Sequence, residues 1–239
     1  MSFRFRPGLT IATAVAFLIL LALGFWQLQR LEWKRAVITQ ITARISAEPI
    51  AFDAALTRES AGENMEYQPV YIDGAYLNDL ESGVFGTLNG AAGVYVFTPV
   101  KLDAADDRLV YVNRGFAPQE FRAPEARTDG RIEGAQRISG LFRHAERRRA
   151  LDAALAPKDQ PADNLYFTRD PQAIGAQHGL SVPAFYIDSF GRENTAAWPR
   201  GGVTRIDIPN RHLEYALTWF GLGAALLGVF LAASIERRH

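Results

Sequence analysis

Two apolar stretches near the ends of the chain enclose a long region in which apolar and polar residues alternate. The first stretch covers residues 9–29 and the second covers residues 212–233. Each is long enough for a bilayer-spanning helix, which needs about 20 residues. Within the second stretch, the strongly polar side chains after His212 are Glu214 and Thr218. The pattern therefore predicts two transmembrane helices.

Short apolar blocks separated by turn residues fill residues 30–211. The blocks lie at 67–76, 94–102, 109–116, 137–142 and 184–190. The expected turns are Asp73-Gly74, Asn78-Asp79, Asn89-Gly90 and Asp106-Asp107. Such alternation between turn signals predicts β-strands joined by hairpins.

Helical periodicity is expected in two places between the apolar stretches. Residues 34–45 continue the first helix out of the membrane, and residues 171–178 form a short helix, whereas residues 152–163 are a surface excursion. We therefore expect an α+β membrane protein, in which N- and C-terminal transmembrane helices flank a mostly antiparallel β domain with a few helices.

Basic residues beside the apolar stretches predict their orientation. Arg4 and Arg6 precede the first stretch, and Arg237 and Arg238 follow the second. The positive-inside rule then places residues 1–8 and 234–239 in the cytoplasm and the domain of residues 30–211 in the periplasm. The first stretch has no small-x-small cleavage site after it, and the N-terminus lacks a long Arg- and Ser-rich presequence. We expect an uncleaved anchor in a bacterial inner membrane.

Composition and spacing exclude several classes of function. Acidic and basic residues number 26 each and are interspersed, so no charge field favours nucleic acid. The absence of cysteine excludes disulfides, thiol catalysis and c-type haem attachment. The basic run at 143–149 is expected to be a solvated face. The histidines lack metal-site spacing, no nucleophile elbow appears and no acid–base pair stands out, so we expect no enzyme.

The start of the second apolar stretch offers the most chemistry. If Asn210 caps the helix, His212 lies in its first turn at the lipid–water boundary. Residues 212, 216, 219 and 223 then share one face, with small residues leaving space beside Trp219. The first helix presents Trp26, Arg30 and Trp33 at helical spacing as it leaves the membrane, with Gln27 and Lys34 beside them. Antiparallel helices would place Arg30 and His212 at similar depth.

A cleft that is apolar below and cationic above suits a haem, with an imidazole for the iron and Arg30, Arg211 or Lys34 for the propionates. Other interpretations stay open. Aromatic residues at membrane edges also serve as anchors, and His212 could be a hydrogen-bonded interfacial residue. The small residues Gly221, Ala225, Gly228 and Ala232 fit helix–helix packing without any cofactor.

Four segments stand out together: LGFWQLQRLEWK at 23–34, GVYVFTP at 93–99, VNRGFAP at 112–118 and PNRHLEYALTWF at 209–220. In combination and in this order they resemble the surfeit-locus family of cytochrome c oxidase assembly proteins. The resemblance implies an inner-membrane assembly factor that binds haem a and assists its insertion into oxidase subunit I. It also implies His212 as the haem iron ligand. A haem in the cleft would also contact Trp26, Arg30, Arg211, Tyr215 and Trp219, although Tyr215 and Trp219 equally fit helix packing.

The same resemblance implies several partners: subunit I, other oxidase assembly factors or haem a synthase, and membrane lipid. Two positions depart from the family pattern, with Arg211 where Asn is common and Glu214 where Gln is common. A haem chaperone is one hypothesis, and a scaffold that stabilises subunit I without binding haem is the alternative. A two-helix periplasmic sensor is disfavoured because few residues follow Ala233.

The Asn113-Arg114-Gly115 motif has two interpretations. It could be a partner-docking surface near the membrane, with Arg114 meeting a carboxylate or a haem propionate. It could instead be a strand end in which Gly115 adopts a backbone conformation that other residues avoid.

Overall fold

The computed structural model describes residues 2–3, 6–103, 108–147, 156–191, 196–202 and 209–236. The chain divides into two compact units. A helical unit lies within Met1–Thr42 and Asp207–His239, and a β-rich unit is Ala43–Ile206. The expected turn at Asp106-Asp107, the flanking Arg4, Arg237 and Arg238, and parts of the segments at 143–149 and 152–163 lie outside the described residues.

The helical unit is an antiparallel helix pair. Helix α1 is Pro7–Ile45 and helix α4 is His212–Ser234, and both are long and apolar enough to cross a membrane. The short strands β1 (Ser2–Phe3) and β10 (Ile235–Glu236) pair antiparallel, so the first and last described residues lie at the same end of the pair. The expected continuation of the first helix through residues 34–45 is confirmed.

Two glycines bring α1 and α4 into close contact. Gly24 faces the ring of Phe220, and Gly223 faces the ring of Phe17. The small residues expected to pack against the first helix do not all do so. A Cβ placed on Gly221 or Gly228 would meet no other heavy atom within 4 Å, so neither glycine faces α1 closely. Gly221 lies about 200° around the helix from Gly223, because each residue advances by about 100°. That part of the packing prediction is wrong.

Replacing Gly24 with valine is expected to force the two helices apart. Its Cβ would overlap the Phe220 ring, and overpacking of this kind costs about 1–3 kcal/mol. Because the chain has no cysteine, spin labels can be placed at Val15 and Leu231, which are both 53% exposed. Pulsed electron paramagnetic resonance should show a broader distance distribution in Gly24→Val, whereas Gly221→Val should match the unchanged chain. Equal distributions in all three proteins would contradict this packing.

In its described residues the β-rich unit contains one eight-stranded sheet and two α-helices. The strands are β2 (Ile50–Ala51), β3 (Pro69–Tyr76), β4 (Ser82–Leu88), β5 (Ala91–Leu102), β6 (Leu109–Pro118), β7 (Ala135–His144), β8 (Leu165–Tyr166) and β9 (Phe185–Ser189). The helices are α2 (Phe52–Ser60) and α3 (Pro171–Gln177), and 3₁₀ turns lie at 78–80, 119–121, 124–130 and 161–163. The sheet order is β2-β3-β7-β9-β6-β5-β4-β8.

Five of these strands close into a ring. Strand β3 pairs with β7 and also, near its end, with β5, so that β3, β7, β9, β6 and β5 return to the starting strand. Pairing is antiparallel except between β2 and β3, β4 and β8, and β6 and β9. The expected mostly antiparallel α+β architecture is confirmed for this unit.

The ring has an apolar core on each of its two faces. One cluster draws Val70, Val100, Val112, Phe142 and Ile187 from all five ring strands, and α2 covers it with Phe52 and Ala55. A cluster that reaches every strand of a closed ring lies in its interior. The second cluster, on the outside, is covered by Ile174 of α3, and its sheet residues are Val84, Tyr95, Phe97, Tyr111, Phe116, Tyr166 and Tyr186.

The expected strands correspond to β3, β5, β6, β7 and β9, and the short helix at 171–178 corresponds to α3. The Asn89-Gly90 hairpin joins β4 to β5 as expected. The turn expected at Asp73-Gly74 is wrong, because both residues lie inside β3. Gly74 has a different role there, since the carbonyl oxygen of Lys101 occupies the space of a side chain. Helix α2 was not expected.

Candidate functional site

His212 is the first residue of α4, and its ring is tied to the other helix. Its Nδ1 lies 2.7 Å from Oε1 of Gln27 on α1. An amide oxygen only accepts hydrogen bonds, so Nδ1 donates the proton in this contact. A neutral imidazole then keeps the lone pair on Nε2, the arrangement in which a histidine can bind a metal.

The beginning of α4 differs from the expected one. Asn210 is not the N-cap, since Arg211 occupies that position and its side chain makes no capping hydrogen bond. The backbone N–H of Tyr215 donates to the carbonyl oxygen of Arg211 at 3.2 Å, which is the first bond of the helical ladder. The expected cap at Asn210 is therefore wrong by one residue, and His212 still lies in the first turn.

The expected face of 212, 216, 219 and 223 packs against α1. Ala216 and Gly223 are buried, and Gly223 faces Phe17. The small residues therefore bring the helices together and do not leave the open space that was expected. Trp219 is half-buried beside this face.

The other expected site residues lie on one flank of the helix pair. Phe25 packs edge to face on Phe220, with ring centroids 5.5 Å apart, on the opposite flank. Because each helical residue advances by about 100°, the other expected site residues lie on the flank of the helix pair that is opposite the Phe25–Phe220 contact. They are Trp26 and Arg30 on α1, and Arg211, Tyr215 and Trp219 on α4.

Apart from the half-buried Trp219, the side chains of this flank are exposed, and they include cations. Trp26 is 51% exposed and Tyr215 is 54% exposed. The Arg30 guanidinium lies 4.4 Å from the centroid of the Trp33 ring, in a cation–π contact one turn beyond Gln27. The flank thus offers an imidazole, aromatic planes and guanidinium groups within the first turns of α4 and the adjoining turns of α1.

This donor set fits a haem. The Nδ1 hydrogen bond leaves one imidazole nitrogen for iron, the apolar helix faces suit a macrocycle, and arginine side chains suit carboxylates. No group of three or more acidic or histidine side chains that could hold a bare metal ion occurs in the part of the chain that the structure describes. Gln27 was expected beside Trp26 and Arg30, but sequence reasoning missed its contact with His212. Its signal was a polar residue at helical spacing between the small Gly24 and the apolar Leu31.

The Asn113-Arg114-Gly115 motif forms a β-bulge in β6. Tyr95 of β5 pairs with Phe116 and Phe97 pairs with Asn113, so Arg114 and Gly115 together oppose one residue of β5. The Asn113 side chain accepts a hydrogen bond from the Gly115 backbone at 3.0 Å and donates to Asp188 of β9 at 2.7 Å.

Arg114 is buried in a cluster of charged side chains. Glu81 lies 2.6 Å from Arg127 and 3.5 Å from Arg114, and all three are less than 9% exposed. Arg114 also donates to the carbonyl oxygen of Gly130 and stacks on Tyr76 at 5.0 Å. Direct docking through Arg114 would have to open these contacts. A cavity of about 230 Å³ adjoins it, and partner docking stays a prediction.

Two histidines of the β-rich unit make local contacts. His144 lies 2.8 Å from both Glu59 and Glu66. His178 lies 3.1 Å from the Ser82 hydroxyl, and burial lowers its pKa, which favours the neutral ring. These contacts join α2 to β7 and α3 to β4.

Comparison with known proteins relates most of the chain to one family. The SURF1 family model matches residues 14–224, a range that contains Gln27, His212 and the β-rich unit. Surfeit locus protein 1 of Rattus norvegicus is 31% identical over 230 residues, which are 90% of this chain and 72% of the relative. Surfeit locus protein 1 of Homo sapiens is 31% identical over 219 residues, 85% of this chain and 70% of the relative.

A third relative gives the same result. The SURF1-like protein of Drosophila melanogaster is 30% identical over 234 residues, which are 90% of this chain and 74% of the relative. The names of these relatives are those of surfeit locus proteins and state no catalytic activity.

Proposed function

We propose, from the premise that the chain belongs to the SURF1 family, that it is an assembly factor for cytochrome c oxidase. In this role it binds haem a on the helix pair and assists its insertion into subunit I. The observation that carries the haem proposal is the 2.7 Å contact between His212 Nδ1 and Gln27 Oε1, which leaves Nε2 as the iron-binding nitrogen. Haem a would supply the redox-active iron of the finished oxidase.

The residues around His212 have complementary roles in this proposal. Trp26, Tyr215 and Trp219 would contact the macrocycle, because their flat apolar surfaces lie on the same flank as His212. Arg30 and Arg211 would meet the propionates, since a guanidinium group binds a carboxylate through two parallel hydrogen bonds. Exposure of Trp26 and Tyr215 supports this assignment, because a transfer site must be open to its recipient.

We propose further that α1 and α4 cross a bacterial inner membrane, with both termini in the cytoplasm and the β-rich unit in the periplasm. Their length and apolar composition support the crossing. Pairing of β1 with β10 supports termini on one side. In this arrangement the site would lie at the periplasmic edge, beside membrane lipid and within reach of subunit I, haem a synthase or other assembly factors.

The test is an absorption spectrum of the full chain, purified from membranes that contain haem a. We expect a Soret band in the unchanged chain and its loss or shift in His212→Ala, because the iron loses its nitrogen ligand. His178→Ala is the matched control, since it removes a half-buried histidine of the β-rich unit, and it should keep the band. The co-purification of subunit I is measured in the same preparations.

The other outcomes separate the hypotheses. A band that persists unchanged in His212→Ala would remove this residue from ligation. A colourless unchanged chain that still captures subunit I, from membranes rich in haem a, would favour the scaffold that binds no haem.

A further inference from the structure

We propose that Gln27 is the positioning residue for His212: its side-chain oxygen accepts a hydrogen bond from Nδ1–H and so presents Nε2 to the iron. This inference rests on the proposed haem-binding function and deepens it. The 2.7 Å contact joins α1 to the first residue of α4, so one hydrogen bond connects the two helices at the site. Gln27 does not touch the iron in this account and acts through His212.

The hydrogen bond determines which nitrogen is available. A neutral imidazole carries one N–H, and the amide oxygen holds that proton on Nδ1. Histidines that bind metals almost always donate their other ring N–H to a carbonyl or carboxylate, which fixes the tautomer and the ring orientation. Gln27 supplies this acceptor before any cofactor arrives.

Packing of the helix pair holds Gln27 in place. Gly24 lies one turn before Gln27 and faces the Phe220 ring, and Leu31 lies one turn after it and is buried. These neighbours fix the backbone of α1 on both sides of Gln27. The acceptor is therefore preorganised, and the ring of His212 loses little freedom when it binds a metal.

The neutral amide also distinguishes Gln27 from the carboxylates found behind many metal-bound histidines. A carboxylate acceptor raises the basicity of the ligand and strengthens its bond to the oxidised metal. An uncharged amide raises the basicity of the imidazole less, so the bond from Nε2 to the metal is weaker. That property suits a site that must release its haem to another protein.

Haem a titration of the full chain in detergent tests the proposal with three variants. Gln27→Met keeps the side-chain length without an acceptor, and we expect its haem a affinity to fall about 10–100-fold. Gln27→Glu keeps an acceptor, and we expect it to bind haem a with a lower reduction potential than the unchanged chain. Gln29→Met is the control, because Gln29 is exposed two residues away, and it should bind like the unchanged chain. Spin labels at Val15 and Leu231 verify that the helix pair persists.

A second measurement needs no haem. Nitrogen NMR shifts of the His212 ring, assigned by comparison with His212→Ala, report which nitrogen carries the proton. We expect the Nδ1–H form in the unchanged chain and a mixture in Gln27→Met. A ring already protonated at Nε2 in the unchanged chain would overturn the inference whatever the haem titration gives.

The failures of the two proposals are distinguishable. If the unchanged chain binds haem a and Gln27→Met retains its affinity and reduction potential, Gln27 serves only helix packing, while the proposed function stands. If the unchanged chain has the Nδ1–H form but binds no haem a, the proposed function is wrong, and ligand positioning is wrong with it.

Discussion

Replacing Gly115 with alanine is expected to destabilise the β-rich unit severely. Gly115 has φ +117°, and an added Cβ would overlap the carbonyl oxygen of Arg200. Arg200 cannot move away without loss, because it exchanges two 2.9 Å backbone hydrogen bonds with Phe116. Backbone strain and overpacking together cost roughly 2–6 kcal/mol, a large part of a typical total stability of about 5–15 kcal/mol. Urea unfolding of the full chain in detergent, followed by the strand signal in circular dichroism, measures the loss.

Gly134→Ala separates the two contributions. Gly134 has φ +77°, and nothing lies within 4 Å of an added Cβ. The free energy of unfolding of this variant should fall only by the cost of backbone strain at positive φ, about 1–2 kcal/mol. If Gly115→Ala and Gly134→Ala lost the same free energy of unfolding, overlap with the Arg200 carbonyl oxygen would contribute nothing, which would contradict the steric explanation.

The strands were predictable from local alternation, but the closure of the ring was not. Val110 and Val112 point into the interior cluster, whereas Tyr111 between them belongs to the outer one. This period of two is visible in the sequence. The pairing of Gly74 with Leu102, which closes the ring, joins residues distant in sequence and leaves no local signal. The bulge at Arg114 and Gly115 also breaks the alternation.

The sequence predicted candidate site residues on each helix separately, but it did not predict the contact between the helices. His212 stands out as an imidazole at the start of an apolar stretch, but its partner Gln27 is 185 residues away in sequence. Glu81 was missed for a similar reason. An isolated glutamate is usually a solvated surface group, and only the fold brings Arg114 and Arg127 around it.

Replacing Glu81 with leucine is expected to be the second strongly destabilising change. The Glu81 carboxylate lies 2.6 Å from Arg127 and 3.5 Å from Arg114, and all three side chains are at most 8% exposed. Removing the carboxylate leaves two guanidinium groups in a desolvated place without this counter-ion. Breaking a buried ion pair in this way costs about 3–5 kcal/mol, and the same urea unfolding experiment measures it.

The cost should depend on the buried cations and not on the loss of an acidic residue in itself. Glu63→Leu is the matched control, because Glu63 pairs with Arg58 at 2.7 Å where both side chains are about half exposed, at 52% and 48%. Exposed pairs contribute about 0–1 kcal/mol, so this variant should unfold almost like the unchanged chain.

Adding Arg127→Met to Glu81→Leu should recover part of the lost stability, since one buried charge then disappears. Arg127 also donates hydrogen bonds to the backbone carbonyl oxygens of Phe121 and Arg122. A double variant less stable than Glu81→Leu would mean that these hydrogen bonds outweigh the cost of the buried charge, which would contradict this explanation.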